Sequence, residues 1–359
     1  MIKYLGSKRK LIPDILQAVG EAQGRSAIDL FSGTSRVGHA LKQAGFQVFS
    51  NDYNRYAETL ARCYVEADEE DYALSAARLI EDLNKLPGKP GYFTATFCEQ
   101  ARYIHPKNGE RIDSIRDKIA RLDLPPVLEA VLLTSLMEAA DRVDSTCGVQ
   151  MAYLKEWAAR AHNDLELRLP HLLPRAKAGA GKAFRMDARE AASTLQADIA
   201  YLDPPYNQHS YLGNYHVWET LIKRDQPEAY GVAQKRIECK TKKSDFNFKS
   251  VALQAFSDVI QALDVKTLVV SFNNEGFVSR EEMEALLCQR GMPYCHTVEY
   301  NRYVGAQIGI HNPQGKKVGQ VSHLKNKEFI FVVDVETPPQ KIPLPAPLSD
   351  SSVAAMGSH

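Results

Sequence analysis

At residues 199–206 the chain reads Ile199-Ala200-Tyr201-Leu202-Asp203-Pro204-Pro205-Tyr206. The largely apolar first half predicts a short buried strand, with Asp203 at its carboxyl end. The two prolines have no N–H and a fixed φ, so carbonyl groups near them can point outward unpaired. Tyr206 offers a face on which a planar ring can stack. These features suit methylation of an amino group on a base, although Pro-Pro also commonly ends a strand, and a plain strand-ending turn is the competing interpretation.

The composition excludes several classes of protein. The chain has 359 residues, with Lys+Arg 44 balanced by Asp+Glu 44, so a nucleic-acid surface would have to come from segregated charge. Its length suffices for one large domain or two. The six cysteines form no C-x-x-C pair, which supports neither structural zinc nor a disulfide framework. Without a signal peptide or a membrane-spanning run, we expect a cytoplasmic protein with no membrane partner and no metal.

Residues 27–38 predict a strand, a glycine turn and the start of a helix. Gly33 lets the backbone approach a ligand closely, and the hydroxyls of Ser32, Thr34 and Ser35 can cap the helix. A second predicted strand leads to Asp52, nineteen positions after Gly33, and an acid at that place in an open α/β sheet commonly binds ribose hydroxyls. The full G-x-G-x-x-G pyrophosphate motif is absent, so S-adenosylmethionine (AdoMet) is a better candidate cofactor than NAD.

The remaining pattern predicts a Rossmann-like α/β fold. Residues 55–182 are mainly helical and too long for a simple crossover, which indicates an inserted, mostly helical subdomain. Five further strands are predicted, the last two joined by a loop, so that a seven-stranded mixed sheet ends in an antiparallel hairpin, as in class I AdoMet-dependent methyltransferases. They are Ala183–Asp187, Ile199–Leu202, Thr267–Phe272, Cys295–Tyr300 and Glu328–Val335.

We accordingly divide the chain into four predicted parts. Residues 1–54 and 183–336 form the AdoMet-binding and catalytic parts of one methyltransferase domain. Residues 55–182 are the helical insertion and the candidate target-recognition region. Residues 337–359, rich in Pro, Ser and Ala, are an expected disordered tail.

Two basic segments could contact phosphates. Residues 223–249 contain eight Lys or Arg against four acids, and the loop 302–327 contains basic residues but no acid. Both follow strands that would border the active-site cleft, so phosphate contact and ordinary solvated surface are equally open interpretations. The candidate DNA-binding residues are Lys240, Lys242, Lys243, Arg302, Lys316 and Lys317.

These motifs together resemble those of the Dam-like adenine-N6 DNA methyltransferases, in which the AdoMet motifs precede the catalytic motif. Residues 4–8, Tyr-Leu-Gly-Ser-Lys, are similar to the family's N-terminal motif, whose aromatic and lysine contact the methionine end of the cofactor. Residues 31–35 resemble its glycine turn, with Thr34-Ser35 where many relatives have a second glycine. The stretch 207–219 resembles a subgroup of predicted adenine-specific methylases.

The resemblance also assigns roles to individual residues. Asp52 corresponds to the ribose-binding acid, Asp187 to the acid near the cofactor's adenine, and residues 203–206 to the catalytic motif. The candidate catalytic residues are Asp203, Pro204, Pro205 and Tyr206. The candidate cofactor contacts are Tyr4, Lys8, Asp29, Phe31, Gly33, Thr34, Ser35, Asp52 and Asp187.

The resemblance implies methyl transfer from AdoMet to N6 of adenine in a recognition sequence of double-stranded DNA. The setting would be a bacterial restriction-modification or orphan methylation system, with a cognate restriction endonuclease as a candidate partner. Hydrogen bonds from the amino group to the Asp203 carboxylate and the Pro204 carbonyl would position a pyramidal nitrogen for attack. Because a duplex buries this group, the base must be flipped out, with Tyr206 stacking on it.

Two alternatives remain at this stage. One is methylation of RNA, or of a guanine N2 amine, against which stand the N-terminal motif and the long helical region. The other is a catalytically silent module that binds DNA or AdoMet. An altered Asp203 or Tyr206 would favour that alternative, and both residues are present.

Overall fold

The computed structural model describes residues 1–20, 22, 24–208, 210–274, 276–301, 310–311, 317–319 and 325–341. These residues form eleven strands, seven of which make one sheet. In chain order the strands are β1 (Ser26–Asp29), β2 (Gln47–Asn51), β3 (Lys182–Phe184), β4 (Ile199–Leu202), β5 (Ala229–Tyr230), β6 (Lys235–Arg236), β7 (Thr267–Asn273), β8 (Pro293–Asn301), β9 (Ile310–His311), β10 (Lys317–Gly319) and β11 (Lys325–Asp334).

The strand order of the large sheet is β3-β2-β1-β4-β7-β11-β8. Its first five strands run parallel, whereas β11 is antiparallel to both β7 and β8. The predicted seven-stranded mixed sheet with a terminal antiparallel hairpin is therefore confirmed. The strand predicted as Ala183–Asp187 instead spans Lys182–Phe184, because Asp187 caps the helix that follows. The predicted bounds of the last three strands also differ from the observed ones, by one to three residues. The short strands β5–β6 and β9–β10 form two separate pairs.

Eleven α-helices lie within the described residues, along with two π-helical segments, Arg62–Glu66 and Thr94–Gln100. None of them is long and apolar enough to cross a membrane. The helices are α1 (Ile12–Gly20), α2 (Arg36–Gln43), α3 (Arg55–Ala61), α4 (Glu69–Asn84), α5 (Pro106–Arg121), α6 (Pro126–Arg142), α7 (Ala188–Thr194), α8 (Tyr211–Asn214), α9 (His216–Lys223), α10 (Ala252–Ala262) and α11 (Arg280–Leu287).

The two faces of the sheet bury different hydrophobic clusters. Side chains alternate between faces along a strand, so Leu268 and Val270 of β7 pack towards α7, α10 and α11, whereas Val269 packs towards α1 and α2. All seven residues of β7 are buried. Both faces of the central strands are covered, as expected where helices lie on both sides of a parallel sheet.

A third and larger cluster holds the helical region together. It joins α3–α6 to Tyr215 and Trp218, which follow the catalytic motif in sequence. The region predicted as an insertion therefore shares a core with the segment after that motif. Its mostly helical character agrees with the observed helices, whereas the four-part division and the role in target recognition stay predictions. Residues 342–359 of the predicted tail lie outside the described part of the chain.

Candidate active site

The glycine turn and Asp52 lie against each other. Gly33 has φ +51°, in the left-handed region, and a Cβ placed there would come within 3.2 Å of Cε1 of Tyr4. The Gly33 N–H donates to Oδ2 of Asp52 at 3.0 Å. Asn54 donates to Oδ1 of Asp52 from its backbone at 2.9 Å and from its side chain at 3.1 Å. Burial raises the pKa of Asp52, while these donors favour its ionised form.

Unsatisfied hydroxyl groups near this turn fit a polar ligand. The side-chain oxygens of Ser7, Ser32 and Ser35 are buried, and none of them has a hydrogen-bond partner among the described residues. Buried polar groups are rarely left without a partner. Ser32 and Ser35 belong to the glycine turn and Ser7 to the N-terminal motif, so both motifs supply polar atoms for a nucleoside-type cofactor such as AdoMet.

Asp29 occupies the end of β1, below the turn. Only 1% of its surface is exposed, and its Oδ2 accepts the N–H of Gly38 in α2 at 3.0 Å. Burial raises the pKa of Asp29 to about 7, and the nearby carboxylates of Asp203 and Asp52 act in the same direction. In the structure Asp29 fixes the beginning of α2, and its contact with the cofactor stays a prediction.

The other candidate cofactor residues are placed by packing and capping. Phe31 meets Phe246 edge to face at a centroid distance of 5.2 Å, and Thr34 is buried. Asp187 caps α7, its Oδ1 accepting the N–H of Arg189 at 2.9 Å. The resemblance assigns these three residues to the cofactor, and those roles stay predictions.

Asn51, which the sequence analysis did not select, ties the strand ends together. Its buried amide donates to the carbonyl oxygens of Leu30 and Met186 at 3.3 Å each and accepts the N–H of Met186 at 3.0 Å. The backbone after β1 is thereby joined to the backbone after β3. An asparagine directly before Asp52 was the only sequence signal for this role.

Tyr4 belongs to a cluster of tyrosines. Its ring stacks on Tyr215 at 4.5 Å and 14° and on Tyr211 at 5.1 Å and 6°. Its hydroxyl lies 3.1 Å from that of Tyr56, and the hydroxyl of Tyr215 accepts the N–H of Leu5 at 2.6 Å. The N-terminal motif is thus docked onto the segment after the catalytic motif. Sequence spacing cannot reveal this contact, because its members are far apart in the chain.

Lys8 pairs directly with the carboxylate of Asp203. Its Nζ lies 2.9 Å from Oδ1 of Asp203 and forms a second ion pair with Oε1 of Glu328 in β11. Only 8% of the Lys8 side chain is exposed, and only 1% of that of Glu328. Ser271 of β7 donates to the same oxygen of Glu328 at 2.5 Å. Lys8 therefore lies between two carboxylates. Its contact with AdoMet stays a prediction.

The surroundings of Asp203 raise the pKa of its carboxyl group above that of an ordinary aspartate. Burial raises the pKa of Asp203 to about 6, Glu328 adds to this rise, and Lys8 opposes it. The side chain keeps 21% of its surface exposed. At neutral pH Asp203 is therefore ionised and acts only as a hydrogen-bond acceptor, which is what an incoming amino group requires.

This pKa predicts the acid limb of the enzyme's pH profile. Protonation would turn Asp203 into a donor facing an N–H group, so activity should fall as the pH drops through about 6. An ordinary aspartate would place the fall near pH ~4. Measuring kcat/KM for methyl transfer between pH 5 and 8 checks this prediction, because the pH profile of kcat/KM reports the pKa values of ionisable groups in the free enzyme. Activity unchanged down to pH 5 would contradict the raised pKa.

Tyr206 is half-buried at the mouth of the site. Its backbone oxygen accepts the N–H of Phe277 at 2.9 Å, and its ring borders the cluster of α7, α10 and α11. Pro204 is buried and Pro205 half-buried. The four residues of the catalytic motif thus follow β4 as a fixed turn, and their direct part in catalysis stays a prediction.

The basic segment 223–249 carries less free charge than its composition suggests. Arg236 is buried and pairs with Asp225 at 2.6 Å and with Glu238 at 2.8 Å. Lys223 pairs with the same two acids at 3.1 and 3.4 Å. Much of the positive charge is therefore neutralised within the segment.

The six candidate DNA-binding residues differ in their surroundings. Lys242 pairs with Glu238 at 3.5 Å, whereas the exposed Lys240 and Lys243 lie over the rings of Tyr230 and Phe248 at 4.2 and 5.8 Å. Of Lys317, only the backbone in β10 is described, and Arg302 and Lys316 lie outside the described residues. DNA contact by these six side chains stays a prediction.

The sheet order and the strand-end site define a class I AdoMet-type methyltransferase fold. The family model of the D12 class N6 adenine-specific DNA methyltransferases matches residues 4–286. The chain therefore belongs to this family, which confirms the resemblance seen in the sequence.

Curated relatives support the same assignment. The chain is 31% identical over 327 residues to modification methylase StsI of Streptococcus sanguinis, covering 86% of this chain and 50% of StsI. It is 28% identical over 341 residues to type II methyltransferase M.NlaIII of Neisseria lactamica, covering 91% of this chain and 100% of that relative. The chain is 30% identical over 325 residues to type II methyltransferase M.FokI of Planomicrobium okeanokoites, covering 84% of this chain and 50% of M.FokI. The chain thus spans about half the length of StsI and M.FokI.

Proposed function

We propose that this chain transfers a methyl group from AdoMet to the N6 amino group of adenine in a recognition sequence of double-stranded DNA. The observation that carries the proposal is the ionisable Asp203, held at the end of β4 by its 2.9 Å ion pair with Lys8. The relatives are named modification methylases and type II methyltransferases. We extend that setting to this chain, with a cognate restriction endonuclease as a candidate partner.

The chemistry follows from the acceptors at the catalytic motif. The amino lone pair of adenine is delocalised into the ring and is a poor nucleophile. Hydrogen bonds from the amino group to the Asp203 carboxylate and the Pro204 carbonyl would hold the nitrogen in a pyramidal geometry. Such positioning supplies part of the barrier lowering. AdoMet, when bound, supplies an electrophilic methyl group on a sulfonium, and Gly33, Asp52 and neighbouring residues would hold it.

A substrate comparison tests the proposal. Purified protein is incubated with labelled AdoMet and either random-sequence duplex DNA or structured RNA, and the products are digested to nucleosides. We expect label in N6-methyladenine from DNA. Label in RNA alone, or in N2-methylguanine, would favour the alternative methyltransferase activity, and no label in any nucleic acid would favour a silent binding module.

Asp52→Ala is expected to weaken AdoMet binding. The Asp52 carboxylate already orders Gly33 through its 3.0 Å hydrogen bond, and each charged hydrogen bond to a ribose hydroxyl contributes about 1.5–3 kcal/mol. We expect at least a ~10-fold rise in the Kd measured by calorimetry. Asp82→Ala, which removes an exposed carboxylate of α4, is the control. Equal AdoMet affinity in both variants would remove Asp52 from the cofactor site.

Tyr206→Ala is expected to impair methylation, whereas Tyr206→Phe should retain most activity. Stacking of one base on an aromatic ring is worth roughly 1–3 kcal/mol, which offsets much of the cost of flipping a base. Once the recognition site is known, 2-aminopurine at the target position reports unstacking by fluorescence. If wild type and Tyr206→Ala give the same fluorescence and the same methylation rate, Tyr206 does not hold the base.

A further inference from the structure

A second concavity lies beside the segment that follows the catalytic motif. It has a volume of about 170 Å³ and is bounded by α8, the β5–β6 hairpin and the segment around Met151. Gly213, Asn214, Tyr230 and Lys235 line it. This volume is below the range typical of pockets that hold drug-sized ligands, so the pocket suits one small group.

Lys235 differs from three of the basic residues in the same segment. Lys223, Arg236 and Lys242 all pair with an acid, whereas the half-buried Lys235 has no acidic partner among the described residues. Its Nζ lies 3.9 Å from where a Cβ on Gly213 would be, which directs the ammonium towards the pocket. A partly buried cation without a partner is costly, so the pocket favours a ligand that offers hydrogen-bond acceptors.

Asn214 supplies an independent signal. Only 3% of its surface is exposed, and its backbone oxygen accepts the N–H of Gln150 at 2.8 Å. Asn214 lines the pocket, and its side-chain amide forms no hydrogen bond within the described part of the chain. The amide is therefore available to a ligand.

We propose that this pocket binds one base of the DNA other than the target adenine and contributes to sequence recognition. The inference rests on the proposed DNA substrate. Lysine recognises the O6 and N7 acceptors of guanine, and a neighbouring amide can donate to the same edge, so guanine is the base that these donors match best. A phosphate matches the pocket less well, because Lys235 is the one cation among the described residues that line it, and Tyr230 and Met151 form part of its wall.

The test is a specificity profile on a random-sequence duplex library, with methylated molecules identified by sequencing. Lys235→Met should relax the preference for one base position by about tenfold or more, with the other positions and AdoMet affinity unchanged. Lys249→Met, an exposed lysine of the same segment, should leave the profile as in wild type. Asn214→Ala should relax the same position, and Lys235→Gln provides a second variant if Lys235→Met fails to fold.

Two outcomes would overturn the inference. A profile of Lys235→Met identical to wild type would leave the pocket without a role in recognition. A uniform loss across all sequences, with the salt dependence of binding reduced by about one unit of slope, would instead mean that Lys235 contacts a phosphate. Failure of the proposed function is distinct from both, since wild type itself would then methylate no DNA in the library.

Discussion

Asp203→Ala is expected to abolish methyl transfer to DNA and leave a folded protein that binds AdoMet. The side chain is 21% exposed at the rim of the site, and its removal leaves Lys8 balanced by Glu328. Lys8 therefore keeps a negatively charged partner in the variant, and the fold should remain stable. The amino group loses its charged acceptor, and we expect no turnover above background, a loss greater than the ~100-fold seen when one preorganised hydrogen-bonding group is removed.

Labelled methyl transfer measures the effect, and thermal melting together with AdoMet calorimetry serves as the control for folding. Asp203→Asn is the closer replacement, since it keeps the shape but loses the charge, and it should be similarly impaired. Near-normal turnover in either variant would remove Asp203 from the reaction.

Lys8→Met is expected to lower both activity and stability. Lys8 lies between Asp203 and Glu328, so the variant leaves two carboxylates close together without a cation. Breaking a buried ion pair from one side costs about 3–5 kcal/mol, which should lower the melting temperature markedly. Loss of the ammonium also raises the pKa of Asp203 further, because Lys8 is the group that lowers it. The acid limb of kcat/KM should therefore move to higher pH.

Glu328→Gln is the matched variant, and its expected effect has the opposite sign. Glu328 raises the pKa of Asp203, so removing its charge should move the acid limb to lower pH. Asp203 also faces Tyr201, Tyr211 and Asp29, which both variants leave in place. Opposite shifts would show that Lys8 and Glu328 act through Asp203. An unchanged pH profile in Lys8→Met with weakened AdoMet binding would instead assign Lys8 to the cofactor.

Local patterns explain why the sheet and the glycine turn could be predicted. Short apolar runs such as 199–202 show buried strands directly, and the strand–turn–helix arrangement places Gly33 beside the end of the next strand, where Asp52 lies. The strand before Asp187 was predicted too long because a helix-capping acid resembles a strand-ending acid in sequence.

Contacts between distant residues explain what the sequence could not predict. Lys8 and Glu328 are 320 positions apart, and no local periodicity links them. The available signal was a glutamate directly before the apolar run of β11, where a buried charge requires a partner. Counting basic residues in 223–249 overstated the free charge, because Arg236 and Lys223 share Asp225 and Glu238.

The most direct test is nucleoside analysis of DNA from a bacterial host that lacks adenine methylation of its own and expresses this chain. Mass spectrometry of the digested DNA should detect N6-methyladenine with the wild-type chain and none with Asp203→Ala at equal expression. Sequencing of the same DNA should place the modification in a defined recognition sequence. Absence of N6-methyladenine with a folded wild-type chain that binds AdoMet, or its presence with Asp203→Ala, would contradict the proposed role of Asp203 in adenine methylation.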